Sequence, residues 1–416
     1  MTDREIKIDR LRDAAGSAVL ESILELYTLY KPSLAVWFAS LYDTRVGGFY
    51  YSESARDNSS VEYLGKVYDL LPDIESTWQA LGFVKGSGIS EGHADPYRTF
   101  IPDWMKERTR AFAESLADPD GFYYHPQWGK EISNSRRARD LGCARATVRA
   151  FGAEPKYHSV VDGGNSDPAT LIPEHLSSEK RFLEYLDSLD IPNRSYHAGN
   201  DLIAQFSQIN ALGLTELCLS YLSSLQHPET GHWHNESSYY AVNGLMKISC
   251  VYKNAGVPLP NANRAAISAI DAITSDVQVN GITEIWNTWY VARNIISSMR
   301  LLGTEGNASA DGIVAELRLN APNAIRATRE KVAPFEKKGG SFSYGVKWPS
   351  IISQGSPVCI PHLPEGDING TVMASNLMSD IIFDTLELRD YSIPILTRSA
   401  GDLFLEELER RRKIYG

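Results

Sequence analysis

Apolar residues recur at helical spacing along most of the chain, and they mark two kinds of helix. In the first kind, apolar and small residues occupy nearly every side, which is typical of buried helices. Six such segments begin near residues 73, 140, 201, 242, 286 and 367. Each carries Asp, Asn or Glu within its first residues, and these residues favour helix N-termini. The pattern therefore predicts six buried helices.

The second kind of helix is amphipathic and alternates with the first. Residues 102–117, 178–189 and 213–226 place apolar residues on one face and polar or charged residues on the other. Buried helices alternating with outer ones predict an all-α fold, an (α/α)6 toroid in which six helical hairpins surround a central cavity. We expect residues 1–416 to form this toroid as one domain.

The turns between these helices also resemble one another. Residues 42–54, 117–129, 227–237 and 337–348 each contain glycine followed closely by aromatic residues. Glycine suits the positive φ of a tight corner, and aromatic rings can wedge between neighbouring hairpins. The repetition supports a fold built from similar hairpins.

Composition excludes several classes of partner. With 43% hydrophobic residues the chain can form a sizeable core, and a net charge of -11 disfavours nucleic acid and anionic membranes. The first residues are charged where a secretory signal would be apolar, and no stretch reaches the roughly 18 apolar residues that span a bilayer. We therefore expect a cytoplasmic protein without nucleic-acid or membrane partners. The four widely spaced cysteines predict buried thiols and no disulfide framework or zinc cage.

One turn resembles a known repeat. In "YLSSLQHPETGHW", residues 221–233, an aromatic-aliphatic pair precedes Gln226, and Gly231 and Trp233 close the turn. This arrangement is similar to the repeat signature of the terpenoid cyclase and protein prenyltransferase superfamily. "PDIESTWQAL" resembles the superfamily's acidic helix start, with Asp73 and Glu75 at the acidic places, and "IWNTWYVARN" is similar to another such start. The resemblance implies a toroid and a cavity at its centre.

The same sequence departs from that superfamily where its chemistry is concerned. Ser76 stands where the cyclases have their last aspartate, and no spaced Asp, Cys and His set matches the zinc ligands of the prenyltransferases. The toroid also resembles that of many carbohydrate-active hydrolases, lyases and epimerases. Fold alone therefore does not select the reaction.

Polar residues at the helix starts and turns are the candidates for a site on the rim of the cavity. Paired carboxylates can divide acid and base roles, and Tyr or His can take a proton next to a neutralised carboxylate. The catalytic candidates are Tyr196, His197, Glu53, Asp73 and Glu365. The substrate-binding candidates are Arg139, Trp128, His125, Asn200, His232, His234, Trp286, Asn287, Lys347, Trp348 and Asp367.

Each of these clusters also has a structural interpretation, namely helix capping, packing or a solvated face. His232 and His234 could bind a metal, contact a substrate or shape the turn, but further ligands at suitable spacing are not evident. We expect no metal and no cofactor.

The mixture of residues favours one class of substrate. A cyclase lines its cavity with aromatic and apolar groups, whereas His, Asn, Arg and carboxylates interleaved with Trp and Tyr suit sugars. We expect a carbohydrate-active enzyme acting on an oligo- or polysaccharide, with a terpenoid cyclase-like or other isoprenoid-processing enzyme as the alternative. The expected reaction is β-elimination beside a uronate, with Tyr196 and His197 transferring the proton and Arg139 neutralising the carboxylate. A glycoside hydrolase using Glu53, Asp73 and Glu365 stays open.

Overall fold

Helices make up most of the computed structural model, which describes residues 3–163, 169–235 and 239–416. The expected all-α class is confirmed, with two small additions that the sequence pattern did not predict. Strands β1 (Ser60–Tyr63) and β2 (Lys66–Asp69) form one antiparallel hairpin, and β3 (Ile352–Ser353) and β4 (Ser356–Pro357) form another.

The helices follow one another with short connections. In chain order they are α1 (Asp3–Ala15), α2 (Ser17–Tyr27), α3 (Ser33–Ser40), α4 (Glu53–Asp57), α5 (Ile74–Gly86), α6 (Pro96–Thr99), α7 (Asp103–Ser115), α8 (Asn134–Ala150), α9 (Glu179–Ser188), α10 (Ile191–Ala211), α11 (Thr215–Leu225), α12 (Tyr239–Ala255), α13 (Ala262–Thr274), α14 (Ile282–Arg300), α15 (Thr304–Val332), α16 (Ile368–Ala374), α17 (Asn376–Thr385) and α18 (Arg398–Tyr415). Short 3-10 helices cover Val160–Asp162, Glu174–Leu176, Ala333–Phe335, Lys338–Gly340 and Arg389–Tyr391.

Six helical segments that the sequence marks as apolar contact one another in series. Helix α5 contacts α8, α8 contacts α10, α10 contacts α12, and α12 contacts α14. Helix α14 contacts α16 and α17, and both of these contact α5. Burial agrees with these neighbours, since in α14 the apolar side chains of Ile282, Val291 and Ile295 are fully buried on different sides of the helix.

The amphipathic segments form helices close to the predicted bounds. Helices α7, α9 and α11 fall within residues 102–117, 178–189 and 213–226. Each buries only one face; in α9, for example, Phe182 and Leu186 are buried while the charged residues around them are not. The periodicity is informative here because a single apolar stripe determines which side faces the protein.

Two buried helices begin earlier than the sequence predicted. Helix α8 begins at Asn134, where the Ser133 hydroxyl caps it by accepting from the Arg136 backbone N–H. Helix α10 begins at Ile191, with Pro192 in its first turn, a position that suits proline because the missing N–H has no partner there. As a consequence Arg139 and Asn200, which were expected at helix starts, lie inside helices. Helix α10 is kinked at Arg194, where φ is -132° and ψ is 33°.

Helices α5 and α16 begin with the same hydrogen-bonded arrangement. The Phe49 N–H donates to Thr77 Oγ1 at 2.9 Å, and the Phe342 N–H donates to Thr371 Oγ1 at 3.0 Å. In both cases the aspartate before the helix donates its own N–H to the carbonyl of that phenylalanine. Two hairpins far apart in the sequence therefore connect a turn to a buried helix through the same pair of hydrogen bonds.

The turn glycines adopt the conformation that the sequence predicted. Gly47 has φ 94° and Gly121 has φ 88°. A β carbon at either position would also stand 2.3 Å from a backbone oxygen, that of Arg108 or of His158 respectively. Both conformation and space thus require glycine at these two turns.

The four cysteines are buried free thiols, as expected; they are Cys143, Cys218, Cys250 and Cys359. Among the described residues, no helix combines the length and the apolar character needed to cross a membrane.

The repeated arrangement at α5 and α16 can be tested by removing one hydroxyl at a time. In Thr77→Val and Thr371→Val the side-chain shape is kept, but a buried phenylalanine N–H loses its acceptor, which costs about 1–3 kcal/mol. We expect each variant to lower the free energy of unfolding in urea by that amount. Thr28→Val, where the hydroxyl is exposed, is the control and should change stability by less than about 0.5 kcal/mol. Equal effects at all three positions would contradict this role for the buried hydroxyls.

Candidate functional site

A cavity of about 340 Å³ lies between the buried helices. Side chains from α5, α8, α10, α12 and α14 line it. Its polar and aromatic lining consists of Trp78, Arg139, Lys247, Trp286 and Tyr290, with Ile203 among the apolar residues. The cavity therefore combines two cations with three aromatic rings.

The two cations of the cavity are incompletely neutralised. Arg139 Nε lies 3.7 Å from Glu75 Oε1, and in the described part of the chain this nitrogen is buried without a hydrogen-bond acceptor. Lys247 makes no ion pair with any described carboxylate. Burial lowers the pKa of Lys247 to about 8, and the positive charge of Arg139 acts in the same direction. An anion entering the cavity would find both groups available.

The aromatic side of the cavity is rigid. Trp286 and Tyr290 stack with ring centroids 4.6 Å apart and an angle of 23° between their planes. Trp286 Nε1 donates to the Leu377 carbonyl at 3.1 Å, which fixes the indole. A flat stacked pair of this kind offers an apolar face to a ligand.

Tyr196 lies beside Lys247. The Lys247 Nζ is 5.4 Å from the centre of the Tyr196 ring. Burial raises the pKa of Tyr196 well above its usual value, and the neighbouring Tyr344 adds to this effect, so the phenol stays protonated at neutral pH. His197 meets the Tyr196 ring edge-on with centroids 5.5 Å apart, but its own side chain is exposed.

Next to the cavity, a fully buried arginine binds three carboxylates. Arg136 Nη2 lies 2.6 Å from Asp140 Oδ1 and 3.4 Å from Asp73 Oδ1, and its Nη1 lies 3.2 Å from Glu75 Oε2. Its guanidinium also stands 4.1 Å from the centre of the Trp128 ring. This Arg136 cluster joins the N-terminal parts of α5 and α8.

Burial raises the pKa values of these carboxyl groups, whereas the neighbouring arginines lower them. Burial raises the pKa of Asp140 and of Asp73, and Arg136 opposes the rise in both. At Glu75 burial acts in the same way, but Arg139 and Arg136 together outweigh it, so that its pKa is lowered. Glu75 is thus a carboxylate held in its charged form between two arginines.

The other predicted acids have structural partners. Asp73 caps α5 by accepting from the Ser76 N–H, and Asp367 caps α16 by accepting from the Gly370 N–H. Burial raises the pKa of Asp367 to about 7. Glu365 accepts from the Ser52 hydroxyl and from the Ser54 N–H, while Glu53 lies 3.9 Å from Arg56. Within the described residues, no carboxylate lines the cavity.

His125 and Trp128 serve the packing around the Arg136 cluster. His125 Nε2 contacts the Pro72 carbonyl at 2.7 Å, and burial lowers the pKa of this imidazole to about 4. Trp128 Nε1 donates to the Pro357 carbonyl at 3.0 Å. Both side chains are buried, which favours the structural interpretation of this stretch.

The histidines of the turn at residues 227–235 lie apart from the cavity lining. His232 is buried, and in the described part of the chain neither ring nitrogen has a hydrogen-bond partner. His234 packs edge-on against Tyr240 with centroids 5.1 Å apart. Around them Gln226 Nε2 donates to the Gly231 carbonyl, and Trp233 Nε1 donates to the Leu222 carbonyl, so both residues stabilise the turn. Residues 236–238 of this stretch lie outside the described residues.

The remaining candidates occupy three different places. Asn200 Nδ2 donates to Gln354 Oε1 at the tip of the β3–β4 hairpin. Asn287 Nδ2 donates to Asn243 Oδ1 at 2.8 Å, and both are buried. Trp348 is 39% exposed and packs edge-on against His362, with exposed Lys347 beside it.

No known protein family, curated protein or solved structure matches the chain. Among the residues that the sequence singled out, the structure brings Arg139 and Trp286 together in the cavity lining, with Tyr196 beside Lys247. The catalytic and binding roles stay predictions. Sequence reasoning missed Lys247, although a lysine in the middle of the largely apolar α12 was a visible signal.

The Arg136 cluster generates a test of stability. Arg136→Met leaves three buried carboxyl groups without their shared cation, which should lower the free energy of unfolding by about 3–5 kcal/mol. Loss of the cation takes the folded-state pKa of Glu75 upward from its lowered value and raises those of Asp73 and Asp140 further, so the folded variant binds more protons than the wild type above about pH 4. The stability deficit should therefore be larger at pH 8 than at pH 5.

Thermal and urea unfolding at both pH values measure this deficit. Arg137→Met, one residue along the same helix and half-buried, is the matched control because Arg137 makes no ion pair with a described carboxylate. A deficit that is independent of pH would show that the arginine acts by packing alone.

Proposed function

We propose that the chain is a carbohydrate-active enzyme that cleaves a uronate-containing oligo- or polysaccharide by β-elimination, within an (α/α)6 toroid. The six buried helical segments, counting α16 and α17 as one, would form the inner ring, because the series of contacts returns from α16 and α17 to α5. One observation carries the functional proposal. Arg139 and Lys247, without full neutralisation, face a cavity that also presents the stacked pair Trp286 and Tyr290.

This combination of groups suits an acidic sugar. The apolar face of a sugar ring packs on flat aromatic side chains, and a guanidinium binds a carboxylate through two parallel hydrogen bonds. The Arg139 side chain is 32% exposed and lines the cavity, and its one ion pair with a described carboxylate, that of Glu75, is long at 3.7 Å. A uronate therefore satisfies both the aromatic and the cationic side of the cavity.

The β-elimination needs a base, an acid and a group that neutralises the carboxylate. In the proposed mechanism Arg139 pairs with the carboxylate, which makes the hydrogen on the adjacent C5 more acidic. Neutral Lys247 takes that proton, the electrons form the C4–C5 double bond, and the bond from C4 to the leaving oxygen breaks. Tyr196, which burial keeps protonated, donates its proton to the leaving oxygen.

Lys247 replaces His197 in this mechanism for two reasons. It lines the cavity, and its pKa of about 8 leaves a useful fraction of neutral amine near neutral pH. Neither His197 nor Tyr196 is in the cavity lining, but His197 is exposed, whereas the half-buried Tyr196 has its ring centre 5.4 Å from Lys247 Nζ.

The alternatives have less support. A hydrolase needs two carboxyl groups at the scissile bond, whereas Glu53, Asp73 and Glu365 are engaged elsewhere and no described acid lines the cavity. The aromatic rings favour a terpenoid cyclase, but the positive charges of Arg139 and Lys247 would repel its carbocation intermediates. A lyase acting on a uronate would use both the aromatic rings and the two cations of the cavity.

A panel of uronate-containing and neutral glycans tests the proposal. We expect ultraviolet absorbance from an unsaturated product together with new reducing ends, and only with uronate substrates. New reducing ends without absorbance would favour hydrolysis instead. Release of neither product across the panel would reject the proposed function.

Two variants test the assigned proton transfers. Lys247→Arg keeps the positive charge but loses the base, and Tyr196→Phe loses the acid. Each should lower kcat by about 100- to 10,000-fold, with KM changed much less. Lys180→Arg and Tyr221→Phe, on the outer helices α9 and α11, are the controls and should keep wild-type turnover. Full activity in Lys247→Arg would rule out this base.

The pKa of Lys247 gives a pH dependence with a definite sign. The base acts only when deprotonated, and its neutral fraction increases as pH rises through about 8. The rate kcat should therefore increase with pH through that region and then level off. A rate that falls between pH 7 and pH 9, measured with the same substrate, contradicts the assignment.

A further inference from the structure

The lining of the cavity includes Cys250 on α12 and Tyr290 on α14. A β carbon at Gly142, another lining residue, would meet no other atom within 4 Å in the described part of the protein. Cys250 lies in the C-terminal half of α12. The lining therefore approaches the C-terminal end of that helix.

A second pair of cations lies at that end. Lys253 is six residues beyond Lys247 on α12, which corresponds to about 9 Å along the helix axis. Its Nζ donates to the Tyr290 hydroxyl at 3.4 Å, and the Arg293 guanidinium carbon lies 5.8 Å from the centre of the same ring. Tyr290 thus connects the two cation pairs, because its ring also lines the cavity and stacks on Trp286.

This second pair lacks an acidic partner. Neither Lys253 nor Arg293 lies within 4 Å of a carboxylate in residues 3–163, 169–235 and 239–416. Asp384, which acts on Lys253 from a longer distance, lies 3.7 Å from Arg389 instead. Both cations are half-buried, and burial together with the neighbouring Arg293 lowers the pKa of Lys253. Two like charges held close together in partial burial favour an anion between them.

We propose that Lys253 and Arg293, around the Tyr290 hydroxyl, form a second anion subsite, so that the ligand carries two acidic groups. The inference rests on the proposed function for its ligand class. One acid of the ligand meets Arg139 and Lys247, and the second meets Lys253 and Arg293 about one sugar unit or more further along. The substrate is then an acidic oligosaccharide with at least two charged residues, and a single uronate fills only half of the site.

Calorimetric titration of the full chain tests this subsite. The monomer probes are galacturonate and glucuronate, which carry one carboxylate each. The dimer probes are the disaccharides made of two galacturonate or two glucuronate units, which carry two carboxylates each. The titrations are made in a Tyr196→Phe background, in which loss of the proposed acid keeps turnover of the dimer slow. There we expect a dimer to bind at least about 10-fold more tightly than its monomer, as expected for added hydrogen bonds to a charged group. In Lys253→Met/Arg293→Met this advantage should disappear, while monomer affinity stays unchanged.

Two further variants separate charge from folding. Lys253→Arg/Arg293→Lys keeps both charges and should retain most of the dimer's advantage. Lys180→Met/Arg181→Met, on the exposed face of α9, removes the same net charge elsewhere and should change neither affinity. Thermal unfolding of every variant establishes that the compared proteins are folded.

The outcomes distinguish the two proposals. If monomers bind and Lys247→Met weakens them, but dimers gain nothing over monomers, the second subsite is rejected and the proposed function stands. If Lys253→Met/Arg293→Met weakens monomer and dimer equally, the subsite is again rejected, because the pair then acts on the first acid. If no uronate probe binds in the Tyr196→Phe background, both proposals fail.

Discussion

A fully buried arginine requires compensation, and much of the candidate site follows from how Arg136 obtains it. Three carboxyl groups, from Asp73, Glu75 and Asp140, surround the guanidinium, and Trp128 covers its face. A buried charge that lost these partners would destabilise the fold by several kcal/mol. The requirement brings the start of α5 against the first turns of α8, and it removes these acids from other uses. Arg139 lies one turn further along α8. Of the three acids around Arg136, only Glu75 also pairs with Arg139, whose side chain faces the cavity.

The repeated start of α5 and α16 gives the buried helices a common orientation. In each, a turn strand donates one N–H to a threonine hydroxyl and accepts another from the capping aspartate. Asp73 and Asp367 are both fully enclosed, and their oxygens accept hydrogen bonds from within the protein. Asp73 accepts from the Ser76 N–H, the Ser76 hydroxyl and Arg136, and Asp367 accepts from the Gly370 and Tyr344 N–H groups. Acidic residues at helix starts therefore mark architecture in this chain, even where their spacing is similar to that of a catalytic motif.

The sequence predicted the bounds of the outer helices closely, but it did not show which polar residues line the cavity, and both outcomes have identifiable reasons. Helices α7, α9 and α11 have one apolar stripe each, and a stripe determines both the bounds and the buried face. Helix α10 begins ten residues before its predicted start. Proline is favoured in a first helical turn, and the loop-like residue types around Pro192 correspond to a kink at Arg194 that interrupts the helix. Asp73 was considered a catalyst because sequence cannot show that Arg136 and the Ser76 N–H already bind it. Lys247 was missed because α12 is apolar on several sides, and periodicity alone does not reveal which side meets a cavity.

The β3–β4 hairpin divides into an apolar base and a polar tip. At the base, Val358 and Cys359 pack with Tyr51 and Trp128 in a small cluster of their own. At the tip, Ser353 donates to Glu75, and Gln354 is held by Asn200 and Ser133. Ser353 and Ser356 are tied to buried surroundings, Ser353 through Glu75 and Ser356 through its own burial. Between them, residues 354 and 355 carry none of the apolar contacts of the base, so a longer turn inserted there would keep the core packing and change the surface beside the starts of α8 and α10.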